Sequence, residues 1–446
     1  MNEMNEIVKT EPQVLFEKGV NGFCNYRIPS LITTRKGTLI AAIDGRVDEP
    51  GDNPNNIDKV IRRSFDHGVT WEGVQLLVDY PGTGRKEGSA AIDPAMLEDR
   101  EKDTIWMIFS HTPGGVGLWN SEPGIGFTAE GYRKLYDKQG NSYTLREEGS
   151  IYDTNDKKTD MVVDKEGYVY KDGHQVCNIY LNEGEILEER TSFLQIIHSH
   201  DDGATWSEPV DLNTQVKAPW MKFIGAGPGV GIQMSESTKY KGRLVFPIYF
   251  SNTAHGKMSC AVMYSDDHGV TWQRGKSPND GRVYEGKTYN AETLDNEELS
   301  LTECQLIELP NGDLKFFMRN HHSKKRTAIA ISKDGGESWG EVSYHETLVD
   351  PTCQASVIKY PDLGDGKCRV IFCNPADEKN RQRGTVRYSE DGGETWDYSK
   401  VLEPGEFWYS CLTILPNNDI GILYETEQEQ DTKNVFTSFN LDWIKS

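Results

Sequence analysis

One phrase recurs along the 446-residue chain and restricts its fold more than any other feature. The pattern S-x-D-x-G-x-[TS]-W occurs as SFDHGVTW, SHDDGATW, SDDHGVTW, SKDGGESW and SEDGGETW, beginning at Ser64, Ser199, Ser265, Ser332 and Ser389. Each copy follows a short apolar run of β type, and Asp and Gly at these offsets are typical of a tight turn. The phrase therefore predicts a turn between two strands, and its recurrence predicts a repeat architecture.

A second repeat consists of a strand, a polar turn and another strand. Clear copies begin at Leu31, Leu306 and Leu412, and weaker ones at Leu97, Ile232 and Val357. In most units roughly 30 residues separate this hairpin from the phrase that follows it, which is enough for about four strands. Six such units predict an all-β chain folded as a six-bladed β-propeller, in which radial repetition leaves few exposed sheet edges.

The second unit is longer than the others. Its hairpin and its phrase lie roughly 100 residues apart, and the surplus alternates apolar and polar residues between glycines, as in GYVYKDGHQVCNIYLNEGEIL. We predict a small inserted β subdomain at 114–189. The propeller would then be formed by residues 1–113 and 190–446.

Composition excludes several classes of partner. The chain carries 48 Lys and Arg against 70 Asp and Glu, a formal net charge of −22, which argues against nucleic acid and anionic membranes as partners. No apolar run approaches the length of a transmembrane helix, and the polar, acidic start lacks the pattern of a secretory signal. We expect a monomer with no transmembrane segment, cytoplasmic as the sequence stands, or secreted if a signal was trimmed.

The sequence contains no recognisable metal site. His321 and His322 are adjacent, but no HExxH motif or His/Cys spacing of a zinc site is present. No EF-hand-like loop indicates calcium. We predict that no cofactor is required; a structural calcium ion is compatible with the chain but not indicated by it.

The propeller prediction also indicates where a site would lie. The first strand of each blade lines the central channel, so residues just before each hairpin converge at one mouth. Among these residues, polar and ionisable side chains are frequent: Arg27, Asp93, Glu303, Gln354 and Tyr409. Just past the hairpin ends lie Arg46, Asp52, Arg319, Arg381 and Glu425.

The residue types in this set suggest a chemistry. Arginines that face one cavity predict a site for a carboxylate or a phosphate. A tyrosine beside a carboxylate, here Tyr409 with Glu303, can act as a nucleophile because the carboxylate accepts its proton. Asp52 lies in the polar loop GDNPNNID and is the candidate general acid. Each side chain alone also fits a structural role, and their joint placement is what favours a site.

These motifs resemble those of the bacterial-type sialidases, or exo-α-neuraminidases. The repeated phrase matches their Asp box, and YRIP at residues 26–29 is close to their FRIP motif. The resemblance covers nearly the whole chain. It implies a retaining exo-sialidase that hydrolyses terminal α-linked sialic acid from glycoproteins, glycolipids and oligosaccharides through a tyrosyl covalent intermediate, with sialylated glycoconjugates as partners.

The resemblance assigns roles residue by residue. Tyr409 is expected to be the nucleophile, Glu303 its base and Asp52 the acid/base on the glycosidic oxygen. Contacts with the sugar are expected from Arg27, Arg319 and Arg381 at its carboxylate, Arg46 near O4, Asp93 at the acetamido N–H, and more weakly Gln233 and Gln354, with Glu425 supporting Arg27. The inserted subdomain resembles one that rims the active site in larger bacterial sialidases, and Leu118 and Trp119 near its root are candidates for aglycone contacts.

Two alternatives stay open at this point. The covalent intermediate could be resolved by another sugar or by the substrate's own hydroxyl, which gives a trans-sialidase or anhydro-sialidase outcome on the same site. The chain could instead be a sialic-acid-binding propeller without turnover. The presence of the complete set of site residues disfavours this second alternative.

Overall fold

The structure, a computed structural model, describes residues 6–428 and 431–446. Strands dominate this part of the chain, and the prediction of an all-β fold is confirmed. The helices are single turns, namely α1 (Gly84–Glu87), α2 (Asn213–Val216) and α3 (Leu441–Lys445), with 3-10 turns at Glu147–Gly149, Ala291–Thr293 and Glu297–Leu299. Within the described ranges, no helix is long and apolar enough to cross a membrane.

The strands of the first half include those of the predicted insertion. They are β1 (Gln13–Glu17), β2 (Asn25–Thr33), β3 (Leu39–Arg46), β4 (Ile57–Ser64), β5 (Gln75–Val78), β6 (Ala90–Asp99), β7 (Thr104–Thr112), β8 (Arg133–Asp137), β9 (Ser142–Leu145), β10 (Ser150–Asp153), β11 (Lys158–Val163), β12 (Tyr168–Lys171), β13 (His174–Asn178), β14 (Ile186–Glu188), β15 (Phe193–Ser199) and β16 (Val210–Asp211). The predicted hairpins at Leu31 and Leu97 are β2–β3 and β6–β7.

The second half is more regular. Its strands are β17 (Met221–Ala226), β18 (Gly229–Val230), β19 (Ile232–Gln233), β20 (Leu244–Asn252), β21 (Met258–Ser265), β22 (Gln273–Arg274), β23 (Arg282–Tyr284), β24 (Lys287–Tyr289), β25 (Leu301–Glu308), β26 (Leu314–Asn320), β27 (Arg326–Ser332), β28 (Ser343–Val349), β29 (Ser356–Lys359), β30 (Val370–Pro375), β31 (Gln382–Ser389), β32 (Tyr398–Glu406), β33 (Ser410–Ile414), β34 (Ile420–Gln428) and β35 (Asp431–Phe439). The other four predicted hairpins are β19–β20, β25–β26, β29–β30 and β33–β34.

The sheets have a propeller-like arrangement, but they are not six separate blades. The separate sheets of four or five strands are β1 with β33–β35, β17 with β19–β22, β25–β28, and β29–β32. Counted in this way the blades number four, and the predicted six is corrected. The strands of the first two units belong instead to one nine-stranded sheet, because a parallel bridge joins Ile57 of β4 to Ala90 of β6.

The first and last strands of the ring share a sheet. β1 pairs antiparallel with β35, so the N-terminal strand completes the sheet formed by the last predicted unit. Toward the centre, β2 contacts β6 and β33, and β29 contacts β25 and β33. The first strands of the units therefore meet along a common axis, as a propeller requires.

The five repeated phrases form one turn structure. In the first copy, Asp66 accepts hydrogen bonds from the backbone N–H and the hydroxyl of Thr70 at 2.8 and 2.6 Å, and Ser64 Oγ accepts from the N–H of Gly68 at 2.9 Å. The same contacts recur after β15, β21, β27 and β31. Trp71 packs edge-on against Phe436 at 5.2 Å between centroids. The prediction of a structural turn is confirmed.

The inserted segment folds as its own sheet. β8–β14 form a seven-stranded sheet over a small core that includes Leu135, Ile151, Val163, Val169 and Ile186. Buried polar groups attach this sheet to the propeller, because Glu188 of β14 bonds both Arg133 of β8 and His111 of β7. The sheet lies inside the predicted range, and the boundaries 114 and 189 themselves stay a prediction.

Candidate active site

Tyr409 lies at the centre of the predicted cluster. Its hydroxyl oxygen is 2.5 Å from Oε1 of Glu303 and 2.8 Å from Nη1 of Arg319, and that Nη1 is 2.5 Å from Oε2 of Glu303. Burial, and then the charge of Glu303, raises the pKa of Tyr409 well above its ordinary value, although Arg319 and Arg381 act in the opposite direction. In the resting protein the side chain is therefore a neutral phenol that donates to Glu303.

The other two predicted arginines lie against the same ring. The guanidinium carbon of Arg27 is 5.3 Å from the centroid of the Tyr409 ring, and that of Arg381 is 5.6 Å from it. Nη2 of Arg381 also donates to the carbonyl oxygen of Thr352 at 3.3 Å. Three guanidinium groups, those of Arg27, Arg319 and Arg381, thus surround one side chain. This arrangement supplies the paired donors that a carboxylate binds.

Glu425 connects Arg27 to Tyr409. It is fully buried, and its oxygens accept from Nε and Nη2 of Arg27 at 3.2 and 3.0 Å. The same carboxylate accepts from the backbone N–H of Ile28 at 2.6 Å and from that of Tyr409 at 3.3 Å. Because one carboxylate bonds both segments, Glu425 determines how Arg27 lies relative to Tyr409.

The inner strands reach the site with irregular backbone that the sequence pattern did not predict. Register shifts occur in β2 between Arg27 and Ser30, in β6 between Ile92 and Ala95, and in β25 between Leu301 and Cys304. Such bulges bend a strand and change the direction of its side chains. Ile28 and Asp93 have φ values of 67° and 63°, and a positive φ is strained for a β-branched residue such as Ile28. Bulges with positive φ values therefore occur in β2 and β6 beside the site residues Arg27 and Asp93.

Asp52 lies in the loop between β3 and β4, with its side chain 63% exposed. Its Oδ1 is 2.7 Å from Nη2 of Arg46 and 3.9 Å from Nη1 of Arg27. Although burial acts in the opposite direction, the charges of Arg46 and then Arg27 lower the pKa of Asp52 below its ordinary value. Asp52 is thus an ionised carboxylate at the edge of the arginine cluster, and its role stays a prediction.

Asp93 is buried and has partners that the sequence did not reveal. The hydroxyl of Tyr249 donates to its Oδ2 at 3.1 Å, and its backbone N–H donates to Oδ1 of Asp44 at 3.1 Å. Burial, and then the charges of Asp44 and Glu303, raises the pKa of Asp93 well above its ordinary value. Tyr249 and Asp44 were missed because both lie inside strands whose pattern only indicates burial.

Trp408 is a further residue that the sequence analysis missed. Its ring centroid lies 5.0 Å from the guanidinium carbon of Arg27, and its Nε1 donates to Glu406 at 2.7 Å. The guanidinium of Arg27 therefore lies over the indole while its Nε and Nη2 donate to Glu425. Its position directly before Tyr409 in the sequence could have indicated that it lies at the site.

The structure corrects the two glutamines. Gln233 lies outside the cluster and bonds the backbone N–H of Arg100 and the carboxylate of Asp99, both at 2.8 Å. It pairs with Leu244 at the start of β20, five residues before Tyr249, and five residues of strand span about 17 Å. Gln354 lies beside the site, but it is 1% exposed and its amide is engaged by backbone groups of Pro228 and Ser410. Its position fits a structural role in place of the predicted sugar contact.

The root of the inserted segment packs on the loop that carries Asp52. A Cβ at Gly117 would come within 2.3 Å of the carbonyl oxygen of Asn53, so the two backbones are in close contact. Leu118 packs against the core cluster that contains Tyr249. Trp119 is 74% exposed. An exposed indole thus follows directly after the segment that touches the Asp52 loop.

Metal ligands are not clustered here. In the part of the chain that the structure describes, no group of three or more His, Cys, Asp or Glu side chains is placed to hold a metal ion. The site consists of carboxylates, guanidinium groups and phenols, which can bind an anion and move protons without further groups. The absence of a cofactor requirement stays a prediction.

Comparisons with known proteins identify a family and several similar chains. Residues 168–422 match the family model described as a BNR repeat-like domain. The chain is similar to an anhydrosialidase of Macrobdella decora (30% identical, over 94% of this chain and 60% of the relative) and to sialidases of Bacteroides fragilis (31%, 90% and 60%) and Micromonospora viridifaciens (30%, 97% and 54%). The chain therefore spans 54% to 60% of the length of these relatives.

Two similar solved structures share nearly the whole fold of this chain. One is the intramolecular trans-sialidase from Ruminococcus gnavus in complex with oseltamivir carboxylate, with a TM-score of 0.82 and 27% identity over 97% of this chain and 98% of that one. The other is the leech intramolecular trans-sialidase complexed with 2,7-anhydro-Neu5Ac, with a TM-score of 0.82 and 26% identity over 98% of this chain and 71% of that one.

Proposed function

This chain belongs to the bacterial-type sialidase family, and we propose that it is a retaining exo-sialidase. Its substrates would be glycoproteins, glycolipids and oligosaccharides that end in α-linked sialic acid. The observation that carries the proposal is Tyr409, whose hydroxyl bonds Glu303 and Arg319 while Arg27 and Arg381 lie over its ring. The sialidase relatives support the same reaction class.

The charge of the substrate favours a tyrosine over a carboxylate as the nucleophile. Sialic acid carries a carboxylate on its anomeric carbon, so an anionic nucleophile would be repelled as it approached. Tyr409 is neutral in the resting protein, and its raised pKa keeps it so. The substrate carboxylate would bind among Arg27, Arg319 and Arg381, whose positive charge also stabilises the phenolate that forms during attack.

The reaction would proceed in two displacements. In the first, the Tyr409 oxygen bonds the anomeric carbon and gives its proton to Glu303, while Asp52 protonates the departing glycosidic oxygen. In the second, Asp52 takes a proton from water, and the water oxygen displaces Tyr409, which recovers its proton from Glu303. Two inversions give net retention at the anomeric carbon.

Substrate binding would prepare Asp52 for its role as an acid. Arg46 and Arg27 lower the pKa of Asp52 in the free protein, which is unfavourable for proton donation. A substrate carboxylate that binds Arg27 adds a negative charge near Asp52 and neutralises part of this effect. The pKa of Asp52 should therefore rise when substrate is bound.

The inserted segment also has a proposed role. Trp119, which follows the segment that touches the Asp52 loop, would contact the aglycone because Asp52 acts on the bond to that group.

A fluorogenic aryl sialoside tests the proposal. We expect release of the fluorophore, and NMR should show the α-anomer of free sialic acid as the first product, before it equilibrates with the β-anomer. No release by correctly folded protein would exclude the enzyme activity and leave a binding propeller. A first product in the β-configuration would exclude the tyrosyl intermediate.

The same NMR experiment decides a second candidate function. The similar structures include intramolecular trans-sialidases, and one similar relative is an anhydrosialidase. In that reaction, a hydroxyl of the bound sugar, and not water, displaces Tyr409. If an anhydro sugar is the main product, the same residues catalyse the intramolecular reaction and not hydrolysis. If sialic acid is transferred to an added acceptor sugar, the protein is an intermolecular trans-sialidase.

A further inference from the structure

A buried lysine and a buried aspartate lie directly behind the site. Asp44 of β3 and Lys59 of β4 are opposite each other in the antiparallel pair, and both side chains are fully buried. Lys59 Nζ bonds Asp44 Oδ1 and also donates to the carbonyl oxygen of Ala91 at 2.7 Å. Neither residue reaches the solvent, so neither can touch a substrate.

Asp44 contacts two residues of the predicted site, Asp93 and Arg46, and Arg46 is itself fully buried. Its Oδ1 accepts from the backbone N–H of Asp93 at 3.1 Å, and its Oδ2 is 3.5 Å from Nη2 of Arg46. The same Nη2 of Arg46 is 2.7 Å from Asp52. Asp44 and Asp52 therefore share one guanidinium group. Which of the two carboxylates binds this group more strongly depends on how well Asp44 is neutralised by its second partner, Lys59.

Lys59 provides that neutralisation. Burial raises the pKa of Asp44 and lowers that of Lys59, so each group depends on the other to keep its charge. Asp44, Glu303 and Asp52 add negative charge around Asp93, whereas Lys59 acts in the opposite direction. Without Lys59, Arg46 would be the cation left to act on Asp44 among the residues that the structure describes, and a buried carboxylate attracts a cation strongly. Arg46 would then move from Asp52 toward Asp44.

We propose that Lys59 is a positioning residue of the active site. By neutralising Asp44, it lets Asp44 hold the backbone of Asp93 while Arg46 stays bonded to Asp52. Arg46 thereby keeps Asp52 directed at the leaving group. This inference rests on the proposed function, in which Asp52 acts on the glycosidic oxygen.

The test compares two substrates that differ in their need for an acid. An aryl sialoside has a good leaving group and needs little protonation, whereas sialyllactose has a poor one and depends on Asp52. For K59M we expect kcat/KM to fall about tenfold on the aryl sialoside and about a hundredfold on sialyllactose. Loss of structure alone would lower both values by the same factor, so an equal loss on the two substrates would overturn the proposal.

Lys315 offers a matched control. It is also a buried strand lysine bonded to a glutamate and to backbone carbonyls, with Glu394 at 2.7 Å and Gly393 at 2.9 Å, but it lies at the fifth repeated turn. After correction for the folded fraction, K315M should match the parent on both substrates. The same result for K59M would contradict the proposal.

The double variant D44N/K59M separates folding from positioning. It removes both buried charges, so its stability should exceed that of K59M, in which Asp44 has lost its lysine partner. It should recover part of the activity that K59M loses on sialyllactose, because an amide draws Arg46 less strongly than an unneutralised carboxylate and leaves Arg46 bonded to Asp52. A selective loss on sialyllactose as large as that of K59M would contradict the proposal.

The proposed function can fail without leaving Lys59 untested. If the parent turns over neither substrate, the enzyme activity is excluded, and the affinity for an unsaturated sialic acid analogue becomes the readout. K59M should then bind the analogue about tenfold more weakly than K315M, since Arg46 and Asp93 are displaced. Equal affinities would overturn the positioning role.

Discussion

Carboxylates occur in two contrasting settings in this protein. In the five repeated turns, each aspartate is at the surface and accepts hydrogen bonds from within its own turn, which lowers the pKa of Asp201 to about 2, chiefly through the hydroxyl of Thr205. Near the site, burial raises the pKa of Asp93 well above its ordinary value and that of Asp350 to about 6. The turn carboxylates are stabilised as anions, whereas these two are not.

This difference separates structural from chemical roles. A carboxylate whose two oxygens both accept hydrogen bonds from its own turn stabilises that turn. A buried carboxylate that depends on neighbouring charges can change protonation when a ligand changes those charges. The following variants test this contrast from its largest expected effect to its smallest.

Removal of the Tyr409 hydroxyl should have the largest effect. Y409F deletes the group that bonds Glu303 and Arg319, so kcat should fall about a thousandfold on the aryl sialoside. The matched control is Y360F, because Tyr360 is also buried and its hydroxyl donates to the carbonyl oxygen of Asn418 at 2.9 Å. Y360F should keep the parental kcat. If Y409F were as active as Y360F, Tyr409 would not be the nucleophile.

Loss of the Glu425 charge should have the next largest effect. E425Q weakens the two hydrogen bonds to Arg27 and leaves a buried guanidinium poorly neutralised, so kcat/KM should fall about a hundredfold and the melting temperature should decrease. Glu378 provides a control, because it pairs with Arg326 at 2.7 Å at the surface. E378Q should match the parent in both measurements. Parental activity in E425Q would mean that Arg27 does not need this support.

Asp58 tests the buried setting through the pH dependence of stability. Burial, and then the charge of Asp79, raises its pKa from 3.8 to about 7. The native state therefore keeps this proton when the unfolded state has lost it, and the free energy of unfolding falls as pH rises from about 4 to 7. D58N should remove this dependence. Between pH 4 and pH 8, its free energy of unfolding, measured with urea, should rise relative to that of the parent by up to about 4 kcal/mol. An unchanged difference between the two proteins across this range would show that Asp58 has an ordinary pKa.

Asp201 tests the turn setting and should have the smallest effect, with the opposite sign. Its pKa is lowered, so its stabilising contribution is present above about pH 4 and is lost as pH falls toward 2. The free energy of unfolding of D201N should be about 1 kcal/mol lower than that of the parent at neutral pH, and this difference should become smaller in acid. The kcat on the aryl sialoside should not change. A loss of kcat would connect the turn with the site and contradict the contrast.

Much of this site was accessible from sequence because the repeat gave positions their meaning. Counting back from each hairpin identified Arg27, Asp93, Glu303 and Tyr409 as neighbours, and the structure brings them together. Gln233 was suggested only by the family resemblance, and the structure places it at the start of a hairpin, away from the site. Counting along the repeat could not find Tyr249 or Lys59, since a polar residue inside a buried strand has no distinctive spacing.

The sequence by itself determined the strand content, the turns and the identity of the chemical groups, because these depend on local hydrogen bonds and on alternation along a strand. Only the tertiary structure decided the number of separate sheets and the joining of the first two units through Ile57 and Ala90. It also decided the bulges in β2, β6 and β25, and the charge balance between Asp44, Lys59 and Arg46. These features arise from contacts between distant segments and from burial, which changes the pKa of a group without changing its name in the sequence.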